Sequence, residues 1–159
     1  MILLAIDPGP TETAYVAWDG TDIFLKDKCA NDGVLSVVHD FGVNPHNRCV
    51  IEKIASFGMP VGAEVFETVY WSGRFAQMFG AERVDRITRI EVKSHLCHSA
   101  RATDANIRQA IIDRFGGKNA AIGRKAMPGP LFGVKADLWS ALAVGLVWWD
   151  NRFPNMEPF

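Results

Sequence analysis

Three carboxylates are placed where a chain rarely needs them. Asp7 ends the apolar run Ile2 to Ile6 and is followed at once by Pro8-Gly9. Glu52 closes the run Cys49-Val50-Ile51, which offers no polar group to share its burial. Asp137 opens the apolar stretch ADLWSALAVGLVWW, where a helix N-terminus would offset part of its desolvation. Carboxylates forced together repel unless they are protonated or bridged by cations, and hard divalent ions with oxygen ligands are the usual resolution. The chemistry on offer is therefore Mg2+ binding. Each acid also has a plain reading, as a turn residue before Pro-Gly, a solvated strand end and a helix cap.

The elements around these residues decide whether they can meet. Residues 2–6 are apolar at every position, as in a central strand covered on both faces. Alternation along it puts Leu3, Ala5 and Asp7 on one face. TAYVAW and DIFLK flank Asp19-Gly20-Thr21, a hairpin signal, so the chain opens with three antiparallel strands. Residues 34–41 form a short helix ending near Gly42, and 49–52 a fourth, buried strand; if it neighbours the first, Asp7 and Glu52 stand side by side. Residues 62–79 have helical spacing, with Gly80 as the stop. RITRIEVK, 86–93, alternates in strand fashion, and Thr103 or Asp104 caps a helix running to about Phe115, closed by Gly116-Gly117. Residues 135–150 are apolar on nearly all sides and read as a buried helix. The order is β-β-β-α-β-α-β-α-α.

At 159 residues the chain is most economically one domain, 1–159, without linker, repeat or low-complexity tract. The longest loop-like stretch, GGKNAAIGRKAMPGPLFG at 116–133, has the length of a working loop. Cys29, Cys49 and Cys97 are odd in number and widely spaced, which indicates neither a disulfide framework nor a zinc site. With no basic leader and an apolar tail too short to cross a bilayer, a soluble, cytoplasmic protein without membrane contact is expected. The net charge of −1 conceals a division: residues 1–70 carry −6 and residues 71–159 carry +5. A basic face toward a polyanion fits that division, and so does ordinary solvated surface.

Taken together, AIDPGPTETAYV (5–16), VIE (50–52), IEVKSHLCHSARATDANIRQAIIDRFGG (90–117) and ADLWSALAVGL (136–146) cover most of the chain. In this order and spacing it resembles the RuvC-type Holliday junction resolvases of the RNase H-like superfamily, particularly the short forms of phages and prophages. The resemblance implies an α/β fold with a five-stranded mixed sheet, its first three strands antiparallel, flanked by helices. It further implies a homodimeric crossover junction endodeoxyribonuclease that places paired, symmetric nicks in four-way DNA. Asp7, Glu52 and Asp137 would hold two Mg2+ ions, with Mn2+ able to substitute, and Lys93 would sit near the scissile phosphate.

The chain departs from that pattern in three places. The final helix of such resolvases presents two coordinating side chains three residues apart, and here the second place is Ser140, which supplies no negative charge. It would act through a metal-bound water, or Asp104 or another acid would substitute, or one metal would bind weakly. A basic residue expected after Lys93 falls at Thr103-Asp104-Ala105, and the aromatic wedge after the second-motif glutamate is absent at Ala55, with Phe57 the nearest aromatic.

Arg74, Arg83, Arg86, Arg89, Arg101, Arg108, Arg114, Lys118, Arg124 and Lys125 are candidate phosphate contacts, with Arg124 and Lys125 in the long loop the most suggestive. Trp71, Phe75 and Phe79 share a helical face suited to core packing or a dimer contact. Trp139, Trp148 and Trp149 suit burial or a subunit interface. His95 and His98 lie beside Lys93 as proton-transfer candidates or incidental loop residues. Rival functions are another RNase H-like DNase or RNase, a catalytically weakened branched-DNA binding protein, and an actin/hexokinase-type phosphate-binding domain, for whose two lobes the chain is too short.

Overall fold

In the computed structural model, which describes residues 1–155 except 57 and 59, the first three strands are β1 (Leu3–Asp7), β2 (Glu12–Trp18) and β3 (Ile23–Ala30). Helix α1 (Asn31–Gly42) returns the chain to β4 (Arg48–Lys53), and α2 (Ala63–Phe79) returns it to β5 (Val84–Thr88) through a single 3-10 turn. The remainder is α3 (Arg89–Cys97), α4 (Asp104–Arg114), the one-turn α5 (Lys118–Ala121), the two-residue strands β6 (Gly123–Arg124) and β7 (Met127–Pro128), and α6 (Leu138–Arg152).

The sheet runs β3-β2-β1-β4-β5, antiparallel across β1, β2 and β3 and parallel from β1 to β4 to β5. It is the expected five-stranded mixed sheet. Its two faces carry separate cores. Leu4, Ile6, Tyr15, Ala17, Cys49 and Ile51 meet α1 and α2 through Val34, Val38, Phe75 and Phe79. Leu3, Ala5, Val16, Trp18 and Val50 meet α6 and the residues α3 and α4 send beneath it. Leu142 and Leu146 of α6 are fully buried, each contributing roughly 1.5–3 kcal/mol of burial. Gly145 is what lets α6 lie so close, since a Cβ there would stand 3.0 Å from Ala5 Cβ.

Two expectations need correction. The stretch 86–93 is not one strand: β5 ends at Thr88, where a capping box starts α3. Thr88 Oγ1 accepts from the Glu91 N–H, and Glu91 Oε2 accepts from the Thr88 N–H at 2.7 Å. The pattern Thr-x-x-Glu was present, but the alternation of charged and apolar residues masked it. Lys93 is accordingly a helical residue. Secondly, Trp139, Trp148 and Trp149 are all buried within the chain, exposed by 7, 4 and 4%, so they form no subunit interface. Trp149 stacks on Trp18, and the Trp148 indole donates to Asp85 at 2.6 Å. Phe75 and Phe79 are core residues, while the expected loop 116–133 holds α5 and the β6–β7 hairpin.

Candidate active site

Register alone assembles most of the site. Asp7 pairs with Ala14, and Ala14 with Lys28, so these three form a row across β1, β2 and β3 on the face that α6 covers. Glu52 follows Ile51, the partner of Ile6, and continues the row on β4. Asp137 enters from above as the N-cap residue of α6, one position before the helical turn expected for it. The turn after Asp7 is held by a closed set of bonds. The buried Thr13 hydroxyl donates to Asn31 Oδ1 at 2.6 Å, Asn31 Nδ2 donates to the Gly9 carbonyl at 3.0 Å, and the Gly9 N–H donates to Thr13 Oγ1 at 3.2 Å. Gly9 is required there, because a Cβ would fall 2.3 Å from the Glu12 carbonyl oxygen.

The acids interact as a group. Burial, the charge of Glu52 and the charge of Asp137 together push the Asp7 carboxyl up to about 7, against the pull of Arg89 and Lys28. Burial likewise raises Glu52, with Asp104 adding to the rise and Arg89 and Lys93 opposing it. Lys93 thus acts on Glu52 from α3, one turn beyond Arg89.

Two cations stand inside this cluster. Arg89 bridges Glu52 at 3.3 Å and Asp104 at 2.5 Å. Lys28 Nζ lies 2.8 Å from Asp137 Oδ2 and 3.7 Å from Glu12 Oε2. Among the described residues, no hydrogen bond or ion pair reaches the Asp7 carboxylate. Nor do any three acidic, histidine or cysteine side chains among them lie ready to close on one ion. The donor set nevertheless suits a hard divalent cation: all oxygen, with Asp7 and Glu52 largely withdrawn from water, Asp137 about half exposed, and the Asp7 carboxyl raised by burial and by its neighbours and left without a partner.

Asp137 and Ser140 share a wall of a cleft of about 630 Å³ with Arg89, Asp104 and Arg108. Arg108 also lies over the Trp139 ring, 5.1 Å from its centroid. Of the other expected DNA contacts, Arg101 is exposed between α3 and α4, and Arg124 and Lys125 are exposed on the β6–β7 hairpin. Arg74 is on α2, across the sheet from the acids, over the Trp71 ring at 4.1 Å. Phe57 lies outside the described residues. Three candidate phosphate contacts are engaged internally: Arg89 as above, Arg83 on the carbonyls of Gly42, Asn44 and Phe79, and Arg114 on Asp150. His95 bonds Asp150 at 2.7 Å and points along α3 toward α6, away from a proton-transfer role at the acids.

Sequence reasoning passed over Lys28 and cast Arg89 as surface. Lys28 was findable from strand register, since a lysine paired with the residue opposite Asp7 must share its face. Arg89 follows directly on a capping-box threonine, which aims it back along β5.

A central strand ending in an acid runs parallel to a second strand ending in an acid, with a helix N-terminus laid over both. The fold, a five-stranded mixed sheet flanked by helices, is RNase H-like and matches that of RuvC. No protein-family model matches the sequence, and no curated protein matches it. Among solved structures, the Thermus thermophilus RuvC structure superposes with a TM-score of 0.62 at 16% identity, covering 100% of both chains. T. thermophilus RuvC in complex with its Holliday junction substrate superposes with a TM-score of 0.64 at 18% identity, covering 100% of this chain and 99% of that one.

Proposed function

We propose that residues 1–159 form one nuclease unit, a divalent-metal-dependent DNA endonuclease that resolves four-way junctions by paired nicks and works as a homodimer in the cytoplasm. The observation that carries this reading is Asp7: a strand-end carboxyl raised to about 7 by burial and by Glu52 and Asp137, on a fold shared with a protein solved on a Holliday junction.

In this reading Asp7, Glu52 and Asp137 supply the oxygen donors. A bound Mg2+ or Mn2+ would polarise the scissile phosphate and lower the pKa of attacking water. Lys93 stands on the α3 side of Glu52 and offsets negative charge that grows on the phosphate during in-line displacement. Arg108, Arg101, Arg124 and Lys125 bind the DNA backbone in a salt-dependent way. Full two-ion occupancy would require Asp137 to leave Lys28, and Ser140 or Asp104 to contribute. The dimer contact is the outer face of α2, where Phe66, Val69 and Tyr70 are 64, 50 and 60% exposed.

The test incubates the protein with a synthetic four-way junction, a matched duplex and an RNA/DNA hybrid in Mg2+, Mn2+ or EDTA. Symmetric, metal-dependent nicks confined to the junction are expected, and Asp7→Asn abolishes them while junction binding survives. Cleavage of the hybrid in preference to the junction would move the assignment to an RNase H. Tight junction binding with no nicking in either metal would make the chain a binding protein.

A further inference from the structure

Lys28 has no counterpart in the expected ligand set, yet it is the group nearest to Asp137. It reaches Asp137 at 2.8 Å and lies 3.7 Å from Glu12. Its place is determined by the sheet: it stands two strands from Asp7 in the same row, with only the small side chain of Ala14 between them. On the helix above, three positions after Asp137, stands Ser140, which adds no negative charge to the site.

We propose that the Lys28 ammonium takes the place of a second divalent ion beside Asp137, so that the site holds a single ion, centred on Asp7 and Glu52. This rests on the metal-dependent reading above. Lys28 is then a positioning residue that fixes Asp137 over the row and supplies positive charge on the α6 side of the cleft. No proton or electron needs to move for it to do so.

The experiment counts Mn2+ bound to the DNA-free protein, by calorimetric titration and by the loss of the free-ion resonance. Wild type is expected to bind one ion per chain and Asp7→Asn none. Lys28→Met, which frees Asp137, is expected to bind two, and Lys28→Arg, which keeps the cation, one. Two ions on wild type, or one ion on Lys28→Met with its thermal melting intact, would overturn the role of Lys28 and leave the metal site standing. Should Lys28→Met fail to fold, Lys28→Gln serves the same count. No ion on any variant, or a count indifferent to Asp7→Asn, would remove the metal site and the proposal with it.

Discussion

At the scale of single residues, Asp7 is held against its own preference. A carboxyl whose folded pKa is about 7 binds its proton more tightly in the folded than in the unfolded chain, where about 4 is usual. Stability from the protonated form is therefore complete below about pH 4 and is lost as pH rises through about 7, by up to a few kcal/mol. Without divalent ions, wild type should melt at a lower temperature at pH 8 than at pH 5.5. Asp7→Asn, which removes the charge and keeps the shape, should melt higher than wild type at pH 8, with the difference closing toward pH 5. A wild-type melting curve that does not change over that range in EDTA would contradict the burial of this carboxylate. Under the proposed function, that same repulsion is what a bound divalent ion would relieve.

At the scale of elements, the site depends on how closely one helix lies on one strand. Asp137 is brought over the row only because α6 settles onto β1 at Gly145, 3.0 Å from the Ala5 Cβ measured to an added Cβ. Gly145→Leu should lower stability by about 1–3 kcal/mol through overpacking, read as a shift in urea midpoint with little change in slope. It should also weaken Mn2+ binding by displacing the start of α6, which a substitution at the exposed end of that helix would not do. The capping box at Thr88 has the corresponding role on the other side: by ending β5 and starting α3 there, it puts Arg89 and Lys93 on successive turns facing Glu52. Had the strand continued to residue 93, Arg89 and Lys93 would have shared a face but lain about 13 Å apart along it, too far for both to act on Glu52.

Across the whole molecule, the two sides of the sheet differ in charge and in exposed apolar surface. The acids, Arg108 and the exposed hairpin lysine and arginine lie with α3, α4 and α6 on one side of the sheet, and the α1–α2 layer covers the other. That second layer carries exposed Phe66, Val69 and Tyr70, with Arg74 lying against Tyr70 and Trp71. If the chain dimerises through α2, Tyr70→Glu should convert it to a monomer in light scattering, with its melting temperature nearly unchanged because the side chain is already 60% exposed. A dimer that survives Phe66→Glu and Tyr70→Glu together would place the contact elsewhere. No helix among the described residues is long and apolar enough to cross a membrane.

Period and punctuation were enough to read the three antiparallel opening strands, the fourth strand, the long helix α2 and the apolar helix α6, because each rests on local pattern: alternation, a hairpin Asp-Gly, a Gly80 stop; the mixed sheet came from the resemblance, and the end of β5 and helix α3 were missed. The same local pattern marked Asp7, Glu52 and Asp137, since an acid at the end of an apolar run is visible in one dimension. What the tertiary structure alone decided is how those charges are balanced. Lys28 meets Asp137 across 109 positions of chain, and Arg89 joins Glu52 to Asp104. Such pairings depend on register between strands and on the height at which a helix crosses them, distances that close packing sets and that no spacing along the chain encodes.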